Sequence, residues 1–350
     1  MTGRALAVQG GLALAGLVVA YTTWQREPER AAGEVVVVDT TKAELGNVHY
    51  EDDNNIVDVR RRDEGGEKAV WLRIEDKTPV TPPAKPGQPP PPVAPKPHPP
   101  RELRGEEPAE KFLAQFAPFR SPRAFGVLDA AKTKELGLGD TKKKLIITAR
   151  GETHAFAIGQ PSTLGGETYL RDTKDGRVYL MSRSLASDLQ GAGHRLVDRR
   201  LHSFKIPDFN HMAVKAGGKT RELVVTNGHD QATYKLASAA TPDKPDEMAR
   251  NWHEKIWRLF PTEILGKGEL PPGGEPKVAV RVEYADRGKT VGWIEIGKVD
   301  AAPDPTPLSS SPAAAKPAEL YGRTEHTAGW VKLSNDLTTV QEAEKIAAGS

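Results

Sequence analysis

The alternation of apolar and polar residues predicts β-strands along most of the chain. Apolar side chains recur at about every second position on both sides of Gly151 and Gly288, as in a half-buried β-hairpin closed by a turn glycine. A meander of three strands is predicted ahead of each hairpin. The six meander strands are expected near residues 46–50, 56–60, 71–74, 212–215, 223–225 and 234–236.

A proline-led amphipathic helix is predicted after each meander, at residues 108–116 and 245–259. Proline followed by acidic residues is a helix N-terminus signal, because proline fixes φ and its missing donor is not needed in the first turn. Short helices are also predicted after Ser184 and Asn335. Neighbouring strands with separate helices predict an α+β fold built on antiparallel sheets.

The order of meander, helix and paired hairpins occurs twice, which predicts two tandem related modules. Three residues have counterparts 152 positions later, namely Tyr169 with Tyr321, Ser182 with Ser334 and Leu185 with Leu337. The glycines that close the hairpins, Gly159 and Gly297, are only 138 positions apart, so the second copy carries 14 extra residues. A Pro/Ala/Ser-rich stretch at 301–318 falls where this insertion is expected, in a loop that tolerates one.

The N-terminus predicts a membrane anchor. Residues 5–21 are apolar apart from Gln9, and the stretch is just long enough to cross about 30 Å of hydrocarbon. Arg4 precedes it, and an interfacial tryptophan and arginine follow. We therefore predict a single transmembrane helix, with the rest of the chain in the periplasm of a bacterium. A cleaved signal peptide is the alternative, although no small-x-small site directly follows the apolar run.

Proline divides the chain. Residues 78–100 hold 12 prolines in 23 positions, which excludes a helix or a central strand and predicts a spacer. The predicted division is an anchor at 1–26, a first meander at 34–76, a Pro-rich linker at 77–105, a helix and hairpin module at 106–205, a second meander and helix at 206–265, and a second hairpin module at 276–350 that contains the insertion 301–318.

Composition excludes several classes of protein. The 49 basic and 47 acidic residues leave a net charge of +2, which does not indicate the basic surface of a nucleic-acid-binding protein, so no nucleic-acid partner is predicted. The chain has no cysteine, which excludes disulfides, thiolate zinc sites, iron–sulfur clusters and a cysteine nucleophile.

The motifs for catalysis and cofactor binding are incomplete. Gly-Lys-Thr at 218–220 and at 288–290 lacks the glycine five positions upstream that a phosphate-binding loop requires. His194, His202 and His211 are not spaced as a helical pair of metal ligands. Gly-x-Ser-x-Gly is absent. We predict no cofactor, no metal site and no catalytic residue, with a cryptic hydrolase as a distant alternative.

Four tryptophans are the candidates for an interaction surface. Trp252 and Trp257 are five positions apart on the second helix, so they point to different sides. Trp293 and Trp330 fall in the hairpins of the last module, where they could pair across strands. Packing in the core is the other interpretation of each, and an exposed ring would stack on a sugar or contact a partner.

One region of about 85 residues carries an ordered series of motifs. These are Phe125-Gly126, Glu135-Leu136-Gly137-Leu138, the hairpin from Gly151 to Ile158-Gly159, Tyr169-Leu170-Arg171, Val178-Tyr179-Leu180, the helix after Ser184, Asp198-Arg199-Arg200-Leu201 and Phe204. The series resembles the domain of unknown function 4340 family. The outer modules match that family more loosely, and the long Pro-rich spacer and the 14-residue insertion depart from its pattern.

The resemblance implies a topology and partners, but no chemistry. Members of that family are typically anchored by one N-terminal helix and carry an extracytoplasmic β-rich region. They often accompany ABC-type export systems, including systems labelled as gliding-motility-associated. The expected function is that of a non-catalytic periplasmic accessory protein, anchored in the inner membrane, that is a subunit or partner of such a transporter complex. A module that binds cell-wall glycan or peptidoglycan is the alternative.

Overall fold

The computed structural model describes residues 16–17, 33–64, 67–78, 98–163, 165–230, 233–300, 318–334 and 337–349. The predicted anchor lies outside these ranges except for Gly16 and Leu17, and so do residues 79–97 and 301–317 of the two Pro-rich stretches. Within the described ranges, no helix combines the length and the apolar character needed to cross a membrane.

Antiparallel β-strands dominate the described part of the chain. They are β1 Val35–Val38, β2 Leu45–Glu51, β3 Asn55–Glu64, β4 Glu67–Asp76, β5 Arg101–Arg104, β6 Phe119–Ser121, β7 Ala124–Val127, β8 Lys144–Ala149, β9 Glu152–Pro161, β10 Thr168–Asp172, β11 Arg177–Met181, β12 His211–Ala216, β13 Lys219–Thr226, β14 Lys235–Ser238, β15 Pro261–Ile264, β16 Lys277–Asp286, β17 Lys289–Val299, β18 Glu319–Thr324 and β19 Val331–Leu333. The predicted meander strands correspond to β2–β4 and β12–β14, with Tyr234 just outside β14.

Six helices accompany the strands in the described residues. They are α1 Glu106–Ala114, α2 Ala130–Glu135, α3 Arg183–Gln190, α4 Ala192–Arg195, α5 Glu247–Trp257 and α6 Thr338–Ala348, with a 3₁₀ turn at Ile206–Asp208. The two proline-led helices are α1 and α5. With 44% strand and 20% helix, the structure agrees with the predicted α+β class.

The strands form two large antiparallel sheets and one small one. The nine-stranded sheet has the order β5-β4-β3-β2-β8-β9-β10-β11-β7, and the eight-stranded sheet has the order β14-β13-β12-β16-β17-β18-β19-β15. Strands β1 and β6 form the two-stranded sheet. From β4 onward, the first order matches the second strand for strand, and β5 has no counterpart. Helices α1 and α5 occupy the same place in the two orders, as do α3 and α6.

Each large sheet has its own hydrophobic core. The first core packs Phe112 of α1 and Leu185 of α3 with buried side chains of the nine-stranded sheet. The second packs Trp252 of α5 and Ile346 of α6 with the inner face of the eight-stranded sheet. Helices α5 and α6 pack on that inner face, and the opposite face of β16, β17 and β18 carries charged side chains beside a small apolar cluster that includes Tyr321 and Trp330.

Strand β5 holds the two sheets together. It lies at residues 101–104, inside the segment assigned to the linker, and pairs with β4 at the edge of the first sheet. The amide of Lys267 donates to the carbonyl of Glu102 at 2.8 Å. The guanidinium of Arg101 bonds Glu269, with Nε to Oε2 at 2.9 Å, and also the carbonyl of Ile264. Strand β5, which follows the Pro-rich stretch, is therefore part of the junction between the sheets.

Candidate binding groove

A groove of about 610 Å³ opens on the outer face of the eight-stranded sheet. Side chains of β16, β17 and β18 form its floor, and the loops before β16 and before β19 form its walls. Ligand pockets commonly measure about 300–1,000 Å³, so the groove has room for a peptide segment or a short glycan. We call it the sheet groove, and its principal lining residues are Leu270, Glu275, Arg281, Trp293, Glu295, Arg323 and Trp330.

The floor is a ladder of alternating charges. Glu295 accepts hydrogen bonds from Arg281 of the neighbouring strand and from Arg323 Nε, the latter at 2.6 Å. Arg281 Nε also donates to Glu283 at 2.7 Å, and Lys215 Nζ donates to the other oxygen of Glu283 at 2.8 Å. The five side chains therefore form one continuous chain of ion pairs across four strands.

Charge balance keeps this ladder ionised although it is partly buried. Burial of Glu295 disfavours its charged form, but hydrogen bonds from Arg323 and Arg281 outweigh that effect and lower the pKa of the carboxyl. The pKa of Glu283 is also lowered, mainly by the hydrogen bonds from Lys215 and Arg281. Each guanidinium is thereby held in one orientation against the sheet.

Trp293 and Trp330 both line this groove. They do not pair with each other, because each ring lies under an arginine instead. The Arg281 guanidinium is 4.9 Å from the Trp293 ring centre, and the Arg323 guanidinium is 4.5 Å from that of Trp330. Trp330 is only 4% exposed, whereas Trp293 is half-buried. Trp293 is therefore the indole that a ligand can reach.

The other two tryptophan candidates lie on the opposite side of the sheet. Trp252 is 1% exposed, and its indole nitrogen donates to the Thr339 carbonyl of α6 at 2.8 Å. It is a core residue, because helix α6 covers the side of α5 on which it lies, and it is not part of a contact surface. Trp257 is partly buried and packs against the second core. The five-residue spacing does point the two rings to different sides of the helix, but both rings pack in or against the second core.

Two buried histidines pack with Trp257, and the sequence analysis did not predict this cluster. The His202 ring stacks on Trp257, with ring centres 5.0 Å apart and planes 8° apart, and lies 5.5 Å from the ring of Tyr284. His253 is fully buried, and the Tyr234 hydroxyl is 2.9 Å from its Nδ1. Burial, and secondarily the nearby His202, lower the pKa of His253 to about 3, so this ring stays neutral at ordinary pH.

Glu325 links the histidine cluster to the sheet groove. One of its carboxylate oxygens lies 3.3 Å from Nδ1 of His202, and the other accepts a hydrogen bond from the backbone amide of Trp293 at 3.0 Å. The His202 side chain is 6% exposed, and its Nε2 has no hydrogen-bond partner. A carboxylate thus bridges a buried imidazole and the strand that carries the reachable indole.

A second carboxylate–histidine pair lies at the junction between the sheets. Nε2 of His326 is 3.1 Å from Oδ2 of Asp198, which also accepts a hydrogen bond from Arg200 at 2.6 Å. The side chains of Asp198 and His326 are 4% and 6% exposed. The cavity beside them measures about 10 Å³, close to the minimum for one water molecule. The pair therefore has the components of an acid–base dyad. Asp198 and Arg200 also border a wider groove of about 470 Å³ beside α1.

The sequences that resemble nucleotide-binding loops are turns between antiparallel strands. Residues 217–218 join β12 to β13, and residues 287–288 join β16 to β17. Neither turn leads into a helix, which a phosphate-binding loop requires. Among the described residues, no group of three or more His, Asp or Glu side chains is arranged to hold a metal ion.

Comparison with known proteins gave no match to a family model, to a curated protein or to a solved structure.

Proposed function

We propose that this chain is a non-catalytic accessory protein, anchored in the bacterial inner membrane, whose periplasmic region contacts an ABC-type export or gliding-motility-associated complex. The resemblance of residues 125–210 to the domain of unknown function 4340 family supports the partner, and the apolar N-terminal stretch supports the anchor. The two sheets are, in this proposal, two copies of one module. Their shared strand order supports the duplication.

The sheet groove is the observation that favours a binding function. It combines a half-buried indole, two arginines held by one carboxylate and the leucine at position 270, which is 54% exposed. A concave surface with an apolar contact and fixed polar groups is typical of a recognition site. The ion-pair ladder adds rigidity, because arginines that are already oriented lose less side-chain entropy when a partner binds.

Site-specific crosslinking in cells tests this proposal. A photoreactive amino acid placed at Leu270, on the wall of the sheet groove, is expected to crosslink to membrane transporter subunits. Val127 is a matched control, because it is 69% exposed but lies on edge strand β7 of the other sheet. Transporter subunits captured from position 270 and not from position 127 would support the proposal. Equal capture from both positions, or capture from neither, would contradict it.

Recognition of a glycan is the second candidate, and a feature of the same groove favours it. Arg281 and Arg323 use part of their guanidinium groups for Glu295 and Glu283, and the Arg281 guanidinium lies over the Trp293 indole. Indoles beside oriented hydrogen-bond donors are suited to sugar hydroxyl groups. Recovery of peptidoglycan, and not of transporter subunits, from position 270 would favour this candidate over the first.

A further inference from the structure

A buried histidine, His202, lies beside the sheet groove and has no role in the proposed binding function. His202 occupies an aromatic cluster in which its Nδ1 faces Glu325 and its Nε2 faces no acceptor. A neutral imidazole tolerates this arrangement. With its proton on Nδ1, only the lone pair of Nε2 is left without a hydrogen-bond donor. A protonated imidazole does not, because Nε2–H becomes a buried charged donor with nothing to accept its hydrogen bond.

We propose that His202, Glu325 and Trp293 form a protonation relay that couples pH to the shape of the sheet groove. When His202 takes up a proton, its ring must turn or draw in water to satisfy Nε2–H. That movement acts on Glu325 through their shared contact of 3.3 Å. Glu325 in turn holds the Trp293 amide at 3.0 Å, so the indole that borders the groove shifts with it.

The neighbours of His202 make it the group on which such a relay depends. The groups facing it in the described structure are Glu325, His253, Trp257, Tyr284 and Phe204. The pKa of His253 is lowered to about 3, chiefly by burial, and burial raises the pKa of Tyr284 far above the neutral range. Both therefore stay uncharged between pH 5 and 8, where histidine ordinarily changes charge. Glu325 is the one carboxylate of the described residues that contacts the ring.

The packing at Gly292 shows that the contact between Glu325 and Trp293 is specific. A Cβ atom at position 292 would lie 2.7 Å from the carboxyl carbon of Glu325 and would also meet the ring of Phe204. The absence of a side chain at that position therefore gives the carboxylate its access to the Trp293 amide. The relay runs along a tightly packed route, and a displacement of Glu325 cannot be absorbed by empty space.

The consequence of the relay rests on the proposed binding function, because it assigns the sheet groove two states of different affinity. Protonation of His202 is expected to weaken the fixed geometry of the groove, and its deprotonation to restore it. The structural coupling itself is measurable without a partner. A failed crosslinking experiment and a failed relay experiment are therefore separate results.

Fluorine NMR of the full chain labelled with 5-fluorotryptophan tests the relay. The Trp293 resonance, assigned by its loss in Trp293→Phe, is expected to move as the pH is lowered from about 8 to 5, the range in which histidine side chains ordinarily change charge. In His202→Asn the movement should disappear, whereas His154→Asn, a control on β9 of the other sheet, should leave it unchanged. A Trp293 resonance that stays fixed over this range, or that moves equally in His202→Asn, would overturn the relay.

Glu325→Gln provides an independent variant that keeps the shape of the relay. The amide oxygen still accepts the Trp293 hydrogen bond, so the resonance at neutral pH should stay near its wild-type position while its response to pH is reduced at least several-fold. The same variant decides the question if His202→Asn fails to fold. An undiminished pH response in Glu325→Gln would exclude Glu325 as the connecting group.

Discussion

At the scale of single residues, packing decides which side chains can serve a partner. Trp252 and Trp293 have the same chemistry, but α6 covers the first, while the second lies on the helix-free face of the sheet. Gly292 also affects the packing here. Because Phe204 and Glu325 lie against it, this position has no room for a side chain. The groove thus depends on one glycine as much as on its charged residues.

Gly292→Ala is expected to destabilise the protein by about 1–3 kcal/mol, the usual cost of overpacking. The added methyl group would force the buried Phe204 ring or the Glu325 carboxylate to move. Urea denaturation measures the change. Gly139→Ala is the control, because a Cβ there would have its nearest neighbour at 3.9 Å, so its midpoint should stay close to wild type. Equal midpoints for the two variants would contradict the packing argument.

At the scale of elements, capping determines where the helices begin. The predicted start at Pro245 lies two residues before the observed start of α5, because Asp246 is the N-cap. Its carboxylate accepts a hydrogen bond from Ala249 N at 2.9 Å and contacts Arg221 of β13 at 2.8 Å. Helix α1 instead begins two residues before Pro108, which leaves that proline in the first turn, where it needs no donor. The same proline-led pattern therefore corresponds to two different helix starts, one before the proline and one after it.

Asp246→Ala is expected to cost about 0.5–2 kcal/mol of stability, because it removes the cap of α5. The free energy of unfolding from urea titration is the measurement. Asp246→Asn keeps an oxygen acceptor for Ala249 N and should retain most of the stability, losing only the charge opposite Arg221. If the alanine and asparagine variants lose equal stability, the ion pair and not the cap is the important interaction.

At the scale of the whole molecule, the two sheets meet across a buried carboxylate–histidine pair. Asp198 follows α4, and His326 lies between β18 and β19 of the eight-stranded sheet. Burial disfavours the charged carboxylate, but the hydrogen bonds from His326 and Arg200 outweigh burial and hold the pKa of Asp198 well below its usual range. The junction therefore contains a carboxylate that is more acidic in the folded protein than in the unfolded chain.

The junction is expected to weaken in acid. Because folding lowers the pKa of Asp198, its contribution to stability is fully present above the unfolded value of about 3.9 and is lost as the pH falls below it. Asp198→Ala should cost about 1–3 kcal/mol at pH 7, because it leaves hydrogen-bond donors of His326 and Arg200 without their acceptor, and should flatten the stability profile between pH 5 and 2. Asp188→Asn, which removes a more exposed ion pair with Arg195, should cost at most about 1 kcal/mol. Urea midpoints across this pH range measure both, and an unchanged profile in Asp198→Ala would contradict the assignment.

The sequence alone determined the local elements of this protein. Alternating apolar residues around Gly151 and Gly288 predicted hairpins that the structure confirms, because strand periodicity is set by neighbouring residues. The proline-led helices were also predicted from local signals, namely a proline followed by acidic residues, with errors of two residues at their starts. The sequence also proposed Trp293 and Trp330 as interaction-surface candidates, and that role stays a prediction.

Only the tertiary structure decided which residues meet. No local pattern shows that β5 joins the two sheets, that Arg281 covers Trp293, or that Asp198 reaches His326 across 128 positions. His202 and Glu325 are similarly 123 positions apart, and neither belongs to a motif. Periodicity records the side on which a side chain lies, whereas its partners depend on how distant elements pack. The groove and the proposed relay belong to that packing.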